Sequence, residues 1–283
     1  MPELPEVETI RRTLEPHLLG RELRDVQVFT PSVWRGETPP VTLVGDHIIG
    51  LRRRGKHLFL HFQAGQVLHV HLGMTGRLLY RDGHLDGYQD GDGGGEREED
   101  SDRARKHLHL VFYLDRGELH YWDQRRFGYL EVVTLEAAAR WPLGPEPLDP
   151  DFGPAVLREC LQSRKASVKS LLLDQRLLAG IGNIYADESL WRARVSPFRA
   201  GGDLTEDELR VLSQVLRQVL QEAVAGRGTT FSDYRDGDGR PGDFAASLRV
   251  YGKAGQPCPR CGTPLVRGKV AGRGTYFCPR CQR

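Results

Sequence analysis

Pro2 is followed by Glu3, and with Met1 removed it presents a free secondary amine beside a carboxylate. An α-amino group titrates near pH 8, against about 10.4 for lysine, so roughly a tenth of it is neutral at pH 7. A neutral amine attacks an electrophilic carbon and forms an iminium, which is covalent catalysis by nitrogen. A secondary amine is somewhat more basic than that reference, so burial or a nearby cation has to lower it. The plainer reading gives Pro2 a part only in Met1 removal and Pro5 only a helix start. The first six residues by themselves leave both readings open.

A second group of residues suits a metal. Cys258-Pro-Arg-Cys261 and Cys278-Pro-Arg-Cys281 are separated by sixteen residues. That is the spacing of a four-cysteine zinc ribbon, in which four thiolates close a tetrahedral shell around one structural Zn2+ and leave no open position for catalysis. A ribbon so short needs its metal to stay folded. Between the pairs, Lys269 to Phe277 reads as a hairpin whose tip offers Arg273 to a phosphate. The fifth cysteine, Cys160, reads as a packed core thiol.

Other segments suit an anion. Gly180-Ile-Gly182-Asn183 places two glycines before a helix that Asn183 could cap. The N–H groups of such a turn, aligned with a helix N-terminus, make an anion site, although many such turns only connect helices. Arg52-Arg53-Arg54-Gly55-Lys56 is either a solvated strand end or a track for a phosphate backbone. Asp233 to Asp243 superficially resembles a calcium loop, but Arg240 and Pro241 stand where a third ligand and the turn glycine are needed, which excludes it.

These groups need elements to hold them. Pro5 suits the first position of a helix, with Val7, Ile10 and Leu14 at helical spacing before Gly20 and with Pro16 predicted to interrupt or kink the last turns. Short β-type runs follow: 26–29, 48–53, 57–62, 67–72, 76–80, 107–113, 118–121 and 129–133. Gly- and Asp-containing turns between them predict an antiparallel sandwich or barrel. Pro142, Pro145, Pro147 and Pro150 mark a linker. Helical patterns then occur around Val156–Leu161, Val168–Leu172 and Ala186–Val195. Thr205 and Glu208 form a capping box before a long amphipathic run that Gly226 or Gly228 closes.

Composition narrows the class. The 283 residues are 39% hydrophobic and 28% charged, with a net charge of +2. Nothing resembles a secretory signal or a run of eighteen apolar residues, so the expectation is an intracellular protein. Residues 82–102 hold nine acidic side chains against Arg97, a charge of −8 that leaves +10 on the rest. That glycine-rich stretch reads as a solvated loop on a basic body, and a basic body fits a polyanionic partner.

In this order the motifs closely resemble the bacterial formamidopyrimidine-DNA glycosylases, over nearly the whole chain. Pro2 to Thr9 is similar to the family's N-terminus, and His71-Leu-Gly-Met-Thr-Gly76 and Asp123-Gln-Arg-Arg-Phe-Gly128 to its two intercalating loops. Gly180 to Tyr185 is similar to its helix-two-turn-helix, and the four cysteines to its zinc finger. The resemblance implies an α+β, multidomain fold: an N-terminal antiparallel β-sandwich with a leading helix, a helical helix-two-turn-helix domain and a C-terminal four-cysteine zinc ribbon. Its boundaries would be 1–133, a linker 134–153, 154–243 with a lesion-capping loop, and 244–283. Two departures stand out: residues 82–102 are longer and more acidic than that loop usually is, and Gln124 replaces a common proline.

The resemblance also implies an activity. A bifunctional glycosylase and AP lyase would flip an oxidised purine out of double-stranded DNA, attack the sugar with Pro2, and cut both flanking phosphates by β,δ-elimination. Glu3 would assist ring opening and Glu6 would organise the site, with Lys56, Asn183 and Arg273 on phosphates. Met74 and Phe127 would fill the gap, and Arg125 would read the orphaned base, by resemblance cytosine. The implied cofactor is one structural Zn2+, the implied state a monomer in the cytoplasm at the nucleoid, with no membrane. Two alternatives remain: an endonuclease VIII-like glycosylase for oxidised pyrimidines, whose relatives typically begin Pro-Glu-Gly-Pro, and a non-catalytic zinc protein that binds damaged DNA.

Overall fold

The computed structural model describes residues 2–83 and 106–283, so Met1 and residues 84–102 of the acidic stretch lie outside the described residues. The chain forms two compact units. The first contains Pro2, Glu6–Trp141 and Thr230–Gly242, and the second Glu3–Pro5, Pro142–Thr229 and Asp243–Arg283.

Helix α1 (Leu4–Leu18) buries the predicted stripe Val7, Ile10 and Leu14 and extends it to Leu18. It runs through Pro16 to Leu18 instead of breaking there. Proline removes a single N–H, and the carbonyl it abandons belongs to Arg12, on the exposed face where water can replace the bond.

Two four-stranded antiparallel sheets complete the first unit. One has the order β1 (Leu23–Val28), β6 (Leu108–Leu114), β7 (Glu118–Asp123), β5 (Gly76–Arg81). The other has the order β2 (Ile48–Arg54), β3 (His57–Phe62), β4 (Gln66–His71), β8 (Tyr129–Thr134). Their alternating apolar positions meet in one core with Phe62, Phe112 and Tyr121 as its largest fully buried members. The proline-rich stretch after β8 begins with a helix, α2 (Leu135–Ala139), packed on β4 and β8 and capped by Thr134 Oγ1, which accepts from Ala137 N.

The second unit is helical: α3 (Pro154–Leu161), α4 (Val168–Leu173), α5 (Asn183–Ala193) and α6 (Glu206–Ala225), followed by the hairpin β9 (Val266–Val270) and β10 (Arg273–Phe277). The Thr205–Glu208 capping box forms with both of its hydrogen bonds, and Gly226 closes α6. Cys160 is a packed thiol whose Sγ donates to Leu177 O at 3.0 Å. Among the described residues, no helix is long and apolar enough to cross a membrane.

Candidate functional site

Glu3 is 2% exposed and lies against the start of α5. Its carboxylate accepts from Gly182 N at 2.8 Å, Ile184 N at 3.0 Å and Tyr185 N at 3.5 Å. The glycine turn is therefore an anion site, as the sequence suggested, and its occupant is a carboxylate of this chain. Partial positive charge at a helix N-terminus favours it there. Both glycines are needed for the close approach. A Cβ at Gly182 would lie 2.3 Å from the Glu3 carboxyl carbon, and one at Gly180, where φ is +92°, would lie 2.5 Å from Leu4 Cδ1. Pro2, the residue before Glu3, is buried, and Glu6 is 2% exposed on α1.

Met74, Arg125 and Phe127, fifty residues apart in the chain, come together in the first unit. Arg125 Nη1 lies 3.3 Å from Met74 Sδ, and its guanidinium carbon 4.6 Å from the Phe127 ring centre. Met74 is 40% and Phe127 52% exposed, a high value for side chains of their hydrophobicity and not that of core residues. The organiser is Asp123, a residue to which the sequence assigned no role. Fully buried at the end of β7, its carboxylate accepts from Thr75 Oγ1 (2.5 Å), Arg125 N (3.2 Å), Gly128 N (2.8 Å) and Tyr121 Oη (3.3 Å). The two loops touch backbone to backbone: a Cβ at Gly73, where φ is +58°, would lie 2.4 Å from Gly128 N.

Lys56 sits in the tight turn between β2 and β3 and is 7% exposed. Of the neighbouring arginines, Arg53 does not face outward as a backbone track requires. It turns in to Glu8, with Nε 3.1 Å from Oε2, and Nη1 donates to Gly55 O at 3.0 Å, bracing the turn. Burial would raise Glu8, but Arg11, Arg12 and Arg53 outweigh it and hold that carboxyl at about 2.

Beside Lys56 the strands β3 and β4 place His57, His69 and His71 on one face. His69 Nδ1 is 2.9 Å from Glu131 Oε1, and His57 Nδ1 is 2.8 Å from His69 Nε2. The Glu131 carboxylate accepts a hydrogen bond from Nδ1–H of His69, which leaves Nε2 to accept from His57 Nδ1–H. Trp141 covers His69 with ring centres 4.3 Å apart. Burial, followed by neighbouring imidazoles and cations, pushes His57 down to about 2, His69 to about 3 and His71 to about 4.

Asn183 and Arg273 come together in the second unit. Asn183 is the first residue of α5 and does not cap it. Its Nδ2 donates to Gly274 O at 3.0 Å, beside Arg273 at the hairpin tip. Lys169, fully buried, holds the same hairpin: Nζ donates to Gly274 O at 3.0 Å and Thr275 Oγ1 at 2.8 Å and pairs with Asp187 at 2.7 Å. Asp187 in turn accepts from Tyr276 N at 2.8 Å. Glu188, also fully buried, accepts from the backbone N–H of Arg249, Val250 and Tyr251. The sequence signal for these three was a lysine in the apolar run of α4 and two adjacent acids in α5.

The four ribbon cysteines meet as predicted, with their Sγ atoms all within 4.8 Å of one another. A tetrahedral ion with Zn–S bonds of about 2.3 Å needs sulfurs roughly 3.8 Å apart, so the thiols fit Zn2+. Trp191, Val250 and Leu265 pack around them.

Comparison with known proteins agrees with this architecture. Residues 1–130 match the formamidopyrimidine-DNA glycosylase N-terminal domain, 143–234 its H2TH domain, and 255–283 the zinc finger found in FPG and IleRS. These together define a zinc-finger DNA glycosylase of the H2TH class. The formamidopyrimidine-DNA glycosylase of Heliobacterium modesticaldum is 47% identical over 291 residues, covering 100% of both chains. The MutM (Fpg) protein of Thermus thermophilus superposes with a TM-score of 0.84 at 44% identity, over 99% of this chain and 98% of that one. A variant of the Lactococcus lactis Fpg, in complex with DNA containing Fapy-dG, superposes at 0.88 with 35% identity over 100% of both. The chain belongs to the formamidopyrimidine-DNA glycosylase family.

Proposed function

We propose that the chain is a bifunctional DNA glycosylase and AP lyase of base excision repair that removes oxidised purines lying opposite cytosine, and that it acts as a monomer at the bacterial nucleoid. The observation that carries the reading is the setting of Glu3, an acid fixed by three helix N-terminal amides directly after Pro2. With Met1 removed, the Pro2 nitrogen attacks C1′ of a flipped nucleotide, the base departs, and Glu3 transfers the proton that opens the sugar ring. The resulting iminium acidifies C2′, and successive β and δ eliminations break both C–O bonds to the flanking phosphates. Glu6 organises the nucleophile.

Met74 and Phe127 fill the space left by the base and Arg125 donates to the orphaned cytosine, a division of labour supported by their mutual contact on loops fixed by Asp123. Lys56, Asn183 and Arg273 hold phosphates. Zn2+, bound by the four cysteines, keeps the hairpin folded and supplies no reactive group. Residues 1–133 form the catalytic domain, 134–153 the linker, 154–243 the helix-two-turn-helix domain and 244–283 the zinc finger.

Borohydride reduction in the presence of DNA containing 8-oxoguanine opposite cytosine tests the proposal. An iminium becomes a permanent cross-link, whereas a protein that only binds damaged DNA leaves none. Pro2→Gly should lose most base excision, and an N-terminal extension should abolish the cross-link. Equal excision by wild type and Pro2→Gly would overturn the assignment. One observation favours a broader substrate range: the Lactococcus lactis Fpg, 35% identical to this chain, has been solved in complex with DNA containing an oxidised pyrimidine. Parallel excision assays on oxidised purine and pyrimidine duplexes separate the two ranges.

A further inference from the structure

Arg194, Arg260, Arg280 and Arg283 line one cavity of about 690 Å3 together with Cys261 and Cys281. Among the described residues none of these four guanidinium groups pairs with a carboxylate, although other arginines of the same unit do: Arg158 with Glu206, Arg192 with Glu222, Arg199 with Glu208. A Zn2+ bound by four thiolates carries a net charge of about −2, which accounts for only two of the four cations.

Their placement separates this cluster from the other cationic end of the unit. Arg260 forms one wall, donating to Trp191 O at 3.0 Å and Arg192 O at 3.2 Å with its guanidinium 4.4 Å from the Trp191 ring centre. It thereby caps the carbonyl end of α5. Arg194 ends that helix in the left-handed region at φ 63°, a position where glycine or asparagine is usual. Asn183 begins the same helix. Eleven residues at about 1.5 Å each put roughly 16 Å between the two ends, so an anion in the cavity does not touch Asn183 or the hairpin carbonyl beside it.

We propose that this cavity binds a small polyphosphate anion, held by forked guanidinium-to-phosphoryl hydrogen bonds. Guanidinium groups match phosphoryl oxygens in pairs, and the cavity volume falls in the range of roughly 300–1,000 Å3 usual for small-ligand sites. Two sources offer this chemistry: a free nucleotide or pyrophosphate, and the terminal phosphate of a nucleic-acid strand.

Calorimetric titration of the zinc-loaded full chain at low ionic strength tests the site, with pyrophosphate, ATP, a 5′-phosphorylated trinucleotide and its unphosphorylated counterpart as probes. Saturable binding of pyrophosphate at one per chain is expected. It should weaken about tenfold or more in Arg280→Gln/Arg283→Gln at unchanged zinc content and stay unchanged in Arg273→Gln. Arg194→Gly suits the left-handed backbone, keeps the fold, and should weaken the same binding. Tighter binding of ATP than of the phosphorylated trinucleotide identifies the free-nucleotide source. Trinucleotide binding that requires the terminal phosphate identifies the strand end. No saturable binding of any probe, or binding that both variants leave unchanged, would overturn the proposal and leave the arginines as counter-charges to the thiolates.

Discussion

Asp123 offers the sharpest test of how the two loops are held. Its carboxylate takes four hydrogen bonds, two from backbone N–H groups that cannot become acceptors and two from hydroxyls that can. In Asp123→Asn the amide nitrogen can replace Oδ1, where Thr75 rotates to accept from it and still accepts from Arg125 N at 3.1 Å. Charge assistance and the Arg125 N bond to Oδ1 are lost while Arg125 N keeps Thr75 Oγ1, and unfolding free energy should fall by about 1–2 kcal/mol. Asp123→Ala has no such escape. Gly128 N is left buried without its carboxylate, and a residue with no exposure becomes a small void, for a loss of about 3–5 kcal/mol. Urea denaturation measures both. Single-turnover excision should be near wild type for the asparagine variant and at least tenfold slower for the alanine variant, because Met74, Arg125 and Phe127 lose their common anchor. An alanine variant within about 1 kcal/mol of wild type, or an asparagine variant as damaged as alanine, would refute the hydrogen-bond account.

Gly182→Ala should push the Glu3 carboxylate from its amides and slow excision by about a hundredfold or more while DNA binding persists; gel-shift and single-turnover assays separate the two. His57, His69 and His71 are held neutral in the fold but protonate near pH 6.5 when unfolded, so the stability they support is present above that pH and is lost progressively as pH falls from there through about 4 (His71), about 3 (His69) and about 2 (His57). Denaturation between pH 6 and 4 should show a slope of up to about 4 kcal/mol per pH unit, and His57→Phe should remove roughly a third of it. Cys278→Ser, or a strong chelator, should release one Zn2+ per chain by elemental analysis and weaken DNA binding, with the first unit still folded by circular dichroism. Purified protein without zinc would contradict that.

Much of this chain was legible from local pattern. The period-two runs gave the strands and the 3.6-residue stripes gave α1 and α6, because each element buries one face and the periodicity is written in consecutive residues. The zinc site was equally plain, since a ribbon's ligands come in two short pairs. The Met74, Arg125 and Phe127 set was nameable by resemblance, yet what holds it was not: Asp123 acts through Thr75, Tyr121 and Gly128, and only strand register brings β5 and β7 side by side. The same holds for the glycine turn before α5. Its sequence announced an anion site, but whether a phosphate or a carboxylate fills it depends on where Glu3, far away in the chain, is folded. Lys169, buried against Asp187 and the hairpin, gave almost no signal, because a lone lysine in an apolar helix is stable only with partners that tertiary structure supplies. The sequence alone determined the four zinc ligands and most of the elements that form. The tertiary structure decided which distant side chains share their hydrogen bonds, because burial turns an unsatisfied polar group into a cost that only one arrangement of the chain removes.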